Sequence, residues 1–138
     1  MNKLFSFFTL ILAMSACAPK LTEKVEVSFP DGQPQIVKKY DKSGNCVYET
    51  TYYESGQVRF EGGMKNDKME GEWFSYFPDG RMQSKGFFED GKRTGQGTAW
   101  RSNGNLHYEG HYQNGQHCGK WKWYDEQGNL IREEDYGE

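Results

Sequence analysis

Apolar and polar residues alternate along short stretches of this chain, as in residues 57–64 and 106–112. A period of two is that of a β-strand with one face packed and one face wet. Turn dipeptides close these stretches at Asp31-Gly32, Ser43-Gly44, Ser55-Gly56, Asn66-Asp67, Asp79-Gly80, Asp90-Gly91, Asn103-Gly104, Asn114-Gly115 and Gln127-Gly128. Asn-Gly and Asp-Gly favour tight hairpins because both residues tolerate positive φ. The step between turns is about twelve residues throughout, and no helical period occurs beyond the first sixteen residues. The pattern predicts an all-β protein of about ten antiparallel strands in a simple meander.

A longer period lies over the shorter one. Gly56, Gly80, Gly104 and Gly128 are each 24 residues apart, and an aromatic stands four residues before each: Tyr52, Tyr76, Trp100 and Tyr124. Gly62, Gly86 and Gly110 recur six residues after these turns, with Glu134 breaking the column, and Gly71, Gly95 and Gly119 recur fifteen residues after. Positions two, four and eight after each turn glycine are mostly apolar or aromatic, as in Val58, Phe60 and Met64. The intervening Arg59, Glu61, Gln83, Lys85, His107, Glu109, His111 and Glu133 are assigned to a polar face. Gly62, Gly86 and Gly110 are read as packing positions that clear side chains from the apolar face, letting neighbouring rings lie flat or the sheet bend sharply. Repetition at this spacing predicts an elongated array of hairpins.

Composition agrees with a thin, aromatic core. The 138 residues are 16% aromatic but only 35% hydrophobic, enough for one modest domain. A net charge of −3 with no basic run gives no footprint for nucleic acid.

The columns around Gly71-Glu72-Trp73, Gly95-Gln96-Gly97 and Gly119-Lys120-Trp121, with Phe60-Glu61-Gly62 and Tyr108-Glu109-Gly110, resemble MORN repeats, especially the bacterial variant. The resemblance runs from about Tyr40 to the C-terminus and implies a single-sheet solenoid of β-hairpins that serves scaffolding and protein interaction. Bacterial relatives often carry an antitoxin label. Residues 25–53 keep the turns but lack the internal glycines, and are read as an N-terminal β-meander cap, with the repeat array at 54–138.

The leader is an address. A basic start at Lys3 precedes thirteen uncharged, mostly apolar residues at 4–16, too few to span a bilayer, which needs ~20. Met14-Ser15-Ala16-Cys17 resembles the bacterial lipobox, with Met14 where Leu is usual. The resemblance implies a signal peptide at 1–16, a diacylglycerol on Cys17, and a tether at 17–24. Ala18 in place of Asp after that cysteine points by analogy to the outer membrane, on its periplasmic or surface face. Two or three acyl chains at ~0.8 kcal/mol per buried CH₂ make such an anchor effectively permanent.

Candidate chemistry is sparse. An envelope location permits a disulfide, but Cys46 and Cys118 lie six strands apart, roughly 25–30 Å on a flat sheet, beyond the ~7 Å reach of a bridge. Cys46 shares the apolar column of Val58 and Leu106, so it reads as core. His107 and His111 flank Glu109 on one strand roughly 13–14 Å apart, too far to share a zinc ion. No nucleophile elbow, phosphate loop or paired-carboxylate pocket is present, so neither catalytic residues, cofactor nor metal is expected. Trp73, Trp100 and Trp121 occupy repeat columns and read as core, whereas Trp123 matches Ser75 and Ala99 and is the candidate binding aromatic.

Together these features predict a non-catalytic envelope lipoprotein that presents its array to an unidentified protein partner and meets the membrane only through its lipid. A glycan- or peptidoglycan-binding module, or an inhibitor of the antitoxin or immunity type, are the alternatives. A Cys17→Ser variant is expected to leave the membrane fraction or to accumulate as precursor; unchanged membrane fractionation at mature size would reject the anchor.

Overall fold

The computed structural model describes residues 20–137. The leader and Cys17 lie outside the described residues. Ten strands follow in order: β1 (Thr22–Ser28), β2 (Pro34–Tyr40), β3 (Cys46–Tyr52), β4 (Val58–Lys65), β5 (Lys68–Tyr76), β6 (Met82–Glu89), β7 (Lys92–Trp100), β8 (Leu106–Gln113), β9 (Gln116–Tyr124) and β10 (Leu130–Asp135). Every neighbour in sequence is a neighbour in space, giving one open antiparallel sheet with β1 and β10 at its edges. Thr22, Glu23 and Lys24, expected in the tether, instead pair with Tyr40, Lys39 and Lys38, because the edge of β2 offers their backbone a ladder partner.

Two kinds of turn join the strands. Asn66-Asp67, Asp90-Gly91 and Asn114-Gly115 hold positive φ at both positions, the requirement of a two-residue type I′ hairpin. At the other six turns only the glycine has positive φ. There the glycine N–H returns to the carbonyl three residues back, as from Gly80 to Phe77, while the Phe77 N–H donates to Arg81. These are three-residue loops with a glycine bulge, and they gather along one margin of the sheet. Two of the type I′ turns reach back a full hairpin: the Gly91 N–H donates to Met69 O and the Gly115 N–H to Arg93 O. Consecutive hairpins are thereby tied together outside the ladder.

Each strand leaving a three-residue turn carries an extra residue near its start. Thr51 pairs with Phe60 but Tyr52 pairs with Val58, which leaves Arg59 without a partner position. The same slip sets aside Gln83, His107 and Ile131. A bulge of this type interrupts the alternation of faces. Val58, Met82 and Leu106 therefore lie opposite Tyr52, Tyr76 and Trp100, while Phe60, Ser84 and Tyr108 lie opposite Thr51, Ser75 and Ala99 on the other face. The expectation of one packed and one wet face fails for this reason, and apolar side chains are shared between the two.

A second irregularity recurs deeper in the sheet. Between the pairs Gly62↔Trp73 and Met64↔Met69, the single residue Gly63 stands against Glu70, Gly71 and Glu72. The same two-residue surplus surrounds Gly95 and Gly119. Gly71, Gly95 and Gly119 have φ of 74°, 62° and 60°, a conformation that most side chains resist.

The core sits on this framework. Trp73 and Trp121 are 2% and 1% exposed. Each ring lies across the glycine of the preceding strand, so that a Cβ built on Gly62 or Gly110 would fall 2.3 Å from a ring carbon. Each indole Nε1–H then donates to the carbonyl of the residue after that glycine, Gly63 or His111. In the hairpin between them the column holds Gly97, and the Tyr112 ring occupies the space above it. Gly86, expected to be a packing position, is different: its Cβ would meet nothing closer than Gln96 O at 4.0 Å. Thermal melts should separate the glycines accordingly. Gly62→Ala and Gly110→Ala should each cost about 1–3 kcal/mol by displacing a tryptophan, whereas Gly86→Ala should be neutral or slightly stabilising; equal shifts would contradict the ring-on-glycine packing.

Candidate functional site

Two neighbouring concavities follow the margin of three-residue turns. Tyr53, Phe77 and Arg101 hold equivalent positions, each directly after a strand. The Tyr53 hydroxyl donates to Tyr76 O at 2.8 Å, and the Arg101 guanidinium donates to Tyr124 O at 2.7 Å, each tying a turn to the next unit. Phe77 has no donor with which to make this bond. Asn103 and Asn105 add side-chain bonds to Glu126 O.

Two grooves open here. One, of about 440 Å³, is lined by Thr51, Tyr53, Arg59, Phe60, Ser75 and Gln83. The next, of about 420 Å³, is lined by Phe77, Gln83, Trp100, Arg101, Ser102, Asn103, His107 and Glu126. Gln83 is common to both. The bulge residues Arg59 and Gln83, assigned by strict alternation to the face of Glu61, instead line a groove that includes Phe60 and Ser75 of the opposite face, and His107 lines the next groove with Trp100 and Arg101.

Each groove has one arginine in its lining, and the second also has Glu126. Among the described residues neither Arg59 nor Arg101 forms an ion pair. The Arg59 guanidinium lies 5.7 Å from the centre of the Tyr53 ring, and Arg101 Nε is shielded from solvent with no acceptor. Burial, helped by the charge of Arg101, lowers the His107 pKa below its ordinary value. That imidazole is neutral at pH 7, so the arginines carry the positive charge.

On the face bearing Val58 and Tyr76, carboxylates accept bonds from phenols. Tyr76 donates to Glu61 at 2.9 Å, and Tyr124 donates to Glu109 at 2.8 Å. Burial, reinforced by Glu61, pushes the phenols of both Tyr48 and Tyr76 up to about 12. The corresponding pair in the middle hairpin is Trp100 and Lys85, so this arrangement repeats every second unit. Buried Thr50 lies opposite Glu61, and buried Thr98 between Lys85 and Glu109.

The remaining candidate residues scatter. Trp123 is half-buried, its ring 5.8 Å from that of Trp121 and covered by the Arg132 guanidinium at 4.5 Å. His117 stacks on Trp121 at 3.7 Å, completing a cluster with Tyr108 and Tyr112. Trp100 is half-buried, unlike the other two column tryptophans. Gly56, Gly80, Gly104 and Gly128 all serve the three-residue turns, with φ between 80° and 90°. Cys46 is buried in β3 and Cys118 half-buried in β9, both as free thiols. His107 lines a turn-margin groove while Glu109 and His111 border another depression with Lys120 and Lys122, so the three do not converge. No group of three His, Cys, Asp or Glu side chains suited to a metal ion occurs among the described residues.

The repeating hairpins with their recurrent glycine bulges define a class of β-solenoid in which each unit packs only on its neighbours. The MORN repeat variant family matches residues 46–66, 69–92, 93–114 and 118–137, and the chain belongs to that family. The first matched unit begins at Cys46, the start of β3, inside the segment read as a cap. No curated protein matches the chain.

The turn-margin grooves were not visible as a site in the sequence, because Val58-Arg59-Phe60 reads as perfect alternation. The one available signal was the three-residue turn before it, whose left-handed glycine already departs from a regular hairpin. The phenols allow a direct check of the described packing. A raised tyrosine pKa favours the neutral phenol in the fold, so this contribution to stability is present below pH ~10 and is lost as pH rises through about 12. Ultraviolet titration should find Tyr48 and Tyr76 ionising late, and Glu61→Gln should bring both down only in part, since burial is the largest single cause; ordinary titration of both would refute the assignment.

Proposed function

We propose that this chain is a non-catalytic interaction scaffold of the bacterial cell envelope, held by a lipid on Cys17. MORN repeats commonly serve as modules for protein or membrane interaction, which is compatible with such a role. The observation that carries the reading is the pair of successive grooves sharing Gln83 on an open, single-layer sheet. A ladder of this kind offers a partner a long contact surface and no deep enclosure for chemistry. The lipobox-like leader supports the location, with outer-membrane sorting favoured by Ala18.

An antitoxin role fits poorly with a lipid anchor, since a cytosolic toxin would lie across a membrane. A glycan platform would rest on Trp123, and Arg132 already lies over that ring, which puts this reading second.

The test is site-specific photo-crosslinking in the native cells. A crosslinker at Gln83 should capture one defined envelope protein, a crosslinker at Lys92 on the opposite margin should not, and Cys17→Ser should abolish the capture. Recovery of cell-wall glycan alone would replace the scaffold reading with the glycan one, and no adduct from Gln83 would remove the grooves from the function.

A further inference from the structure

We infer that the turn-margin grooves bind an extended acidic peptide segment, laid across the strands so that two carboxylates meet Arg59 and Arg101. The inference deepens the scaffold reading and rests on it. Three independent features point to this ligand. The first is charge: each groove has one arginine in its lining, Arg59 or Arg101, and neither has an ion-pair partner among the described residues. A guanidinium in that condition is matched by a carboxylate, which can take two of its N–H groups at once. Glu126 also lines the second groove but makes no ion pair with either arginine.

The second feature is spacing. Arg59 is on β4 and Arg101 directly follows β7, three strand steps away or roughly 14–15 Å. An extended chain rising ~3.1–3.4 Å per residue covers that span in four to five residues. The third is the lining. Between the arginines the grooves present Phe60, Phe77 and the side-chain amide of Gln83. Aromatic walls with a few polar groups suit extended, polyproline-type peptides, whose backbone is already ordered before binding. At the middle of this path Phe77 replaces the donors that tie Tyr53 and Arg101 to the following unit. A bilayer is a poorer match, because anionic lipid recruits clusters of about 4–8 basic residues and these grooves offer two arginines on a chain of net charge −3.

Fluorescence anisotropy on the full chain in neutral detergent tests this with a labelled peptide carrying two glutamates separated by four prolines. The peptide should bind in a salt-sensitive manner, and Arg59→Gln should weaken it by about tenfold. Arg101 also tethers Tyr124 O, so Arg59→Gln is the primary variant, with an unchanged melting temperature showing that it folds. The peptide with both glutamates replaced by glutamine, which removes both contacts, should lose more than that factor. Equal binding of the two peptides, indifference to Arg59→Gln, or no saturable binding would each overturn the inference. If the peptide fails while Gln83 still crosslinks a defined protein in cells, the ligand chemistry alone is wrong; if both fail, the scaffold reading falls with it.

Discussion

A tryptophan laid across a glycine of the neighbouring strand is the contact on which this structure depends. A single sheet has no second layer against which to bury its rings, so the rings must be buried on the sheet itself. Trp73 and Trp121 achieve this by occupying the space that a side chain at Gly62 or Gly110 would need, and each anchors its indole N–H on the adjacent carbonyl. The result is near-complete burial without a sandwich. An aromatic ring hides roughly 150–250 Å², which is how a chain poor in aliphatic residues still closes a core.

The arrangement alternates between hairpins. Trp73 and Trp121 bracket a hairpin in which Gly97 takes the place of tryptophan and Tyr112 supplies the ring. The carboxylate–phenol pairs of Glu61 with Tyr76 and Glu109 with Tyr124 follow the same rhythm, as do the turn tethers from Tyr53 and Arg101. The middle hairpin departs from its neighbours on both faces and at its turn. A repeat array that is regular in backbone therefore presents an irregular surface, and the grooves beside Phe77 lie where the side chains break step.

Bulges convert this regular ladder into one with an addressable margin. One extra residue after each three-residue turn moves Arg59, Gln83 and His107 out of strict alternation. Side chains that a flat strand would distribute over one wet face are thereby gathered into grooves with Phe60 and Phe77. The same slips divide the apolar columns between the two faces. Both faces consequently carry half-buried rings, with Thr98 buried between the charged Lys85 and Glu109 and Thr50 between Val37 and Glu61.

Much of the fold was legible because turns and repeats are local. Left-handed backbone favours glycine, asparagine or aspartate, so Gly56, Gly80, Gly104 and Gly128 marked the hairpin count, and the 24-residue period marked the array. Cys46 could be placed in the core from its column alone. The division of faces could not, because a bulge changes which side a residue takes while leaving the alternating pattern intact: Val58-Arg59-Phe60 has the same letters whether or not Arg59 has a partner. Nor could the sequence distinguish Gly62 from Gly86, which share a column but differ in whether a neighbouring ring leans over them. By itself the sequence determined the strands, the turns and the repeat, since each is set by the conformational limits of a few adjacent residues. Only the tertiary structure decided the faces, the grooves and the role of each glycine, because these depend on register between strands and on the direction in which a ring lies.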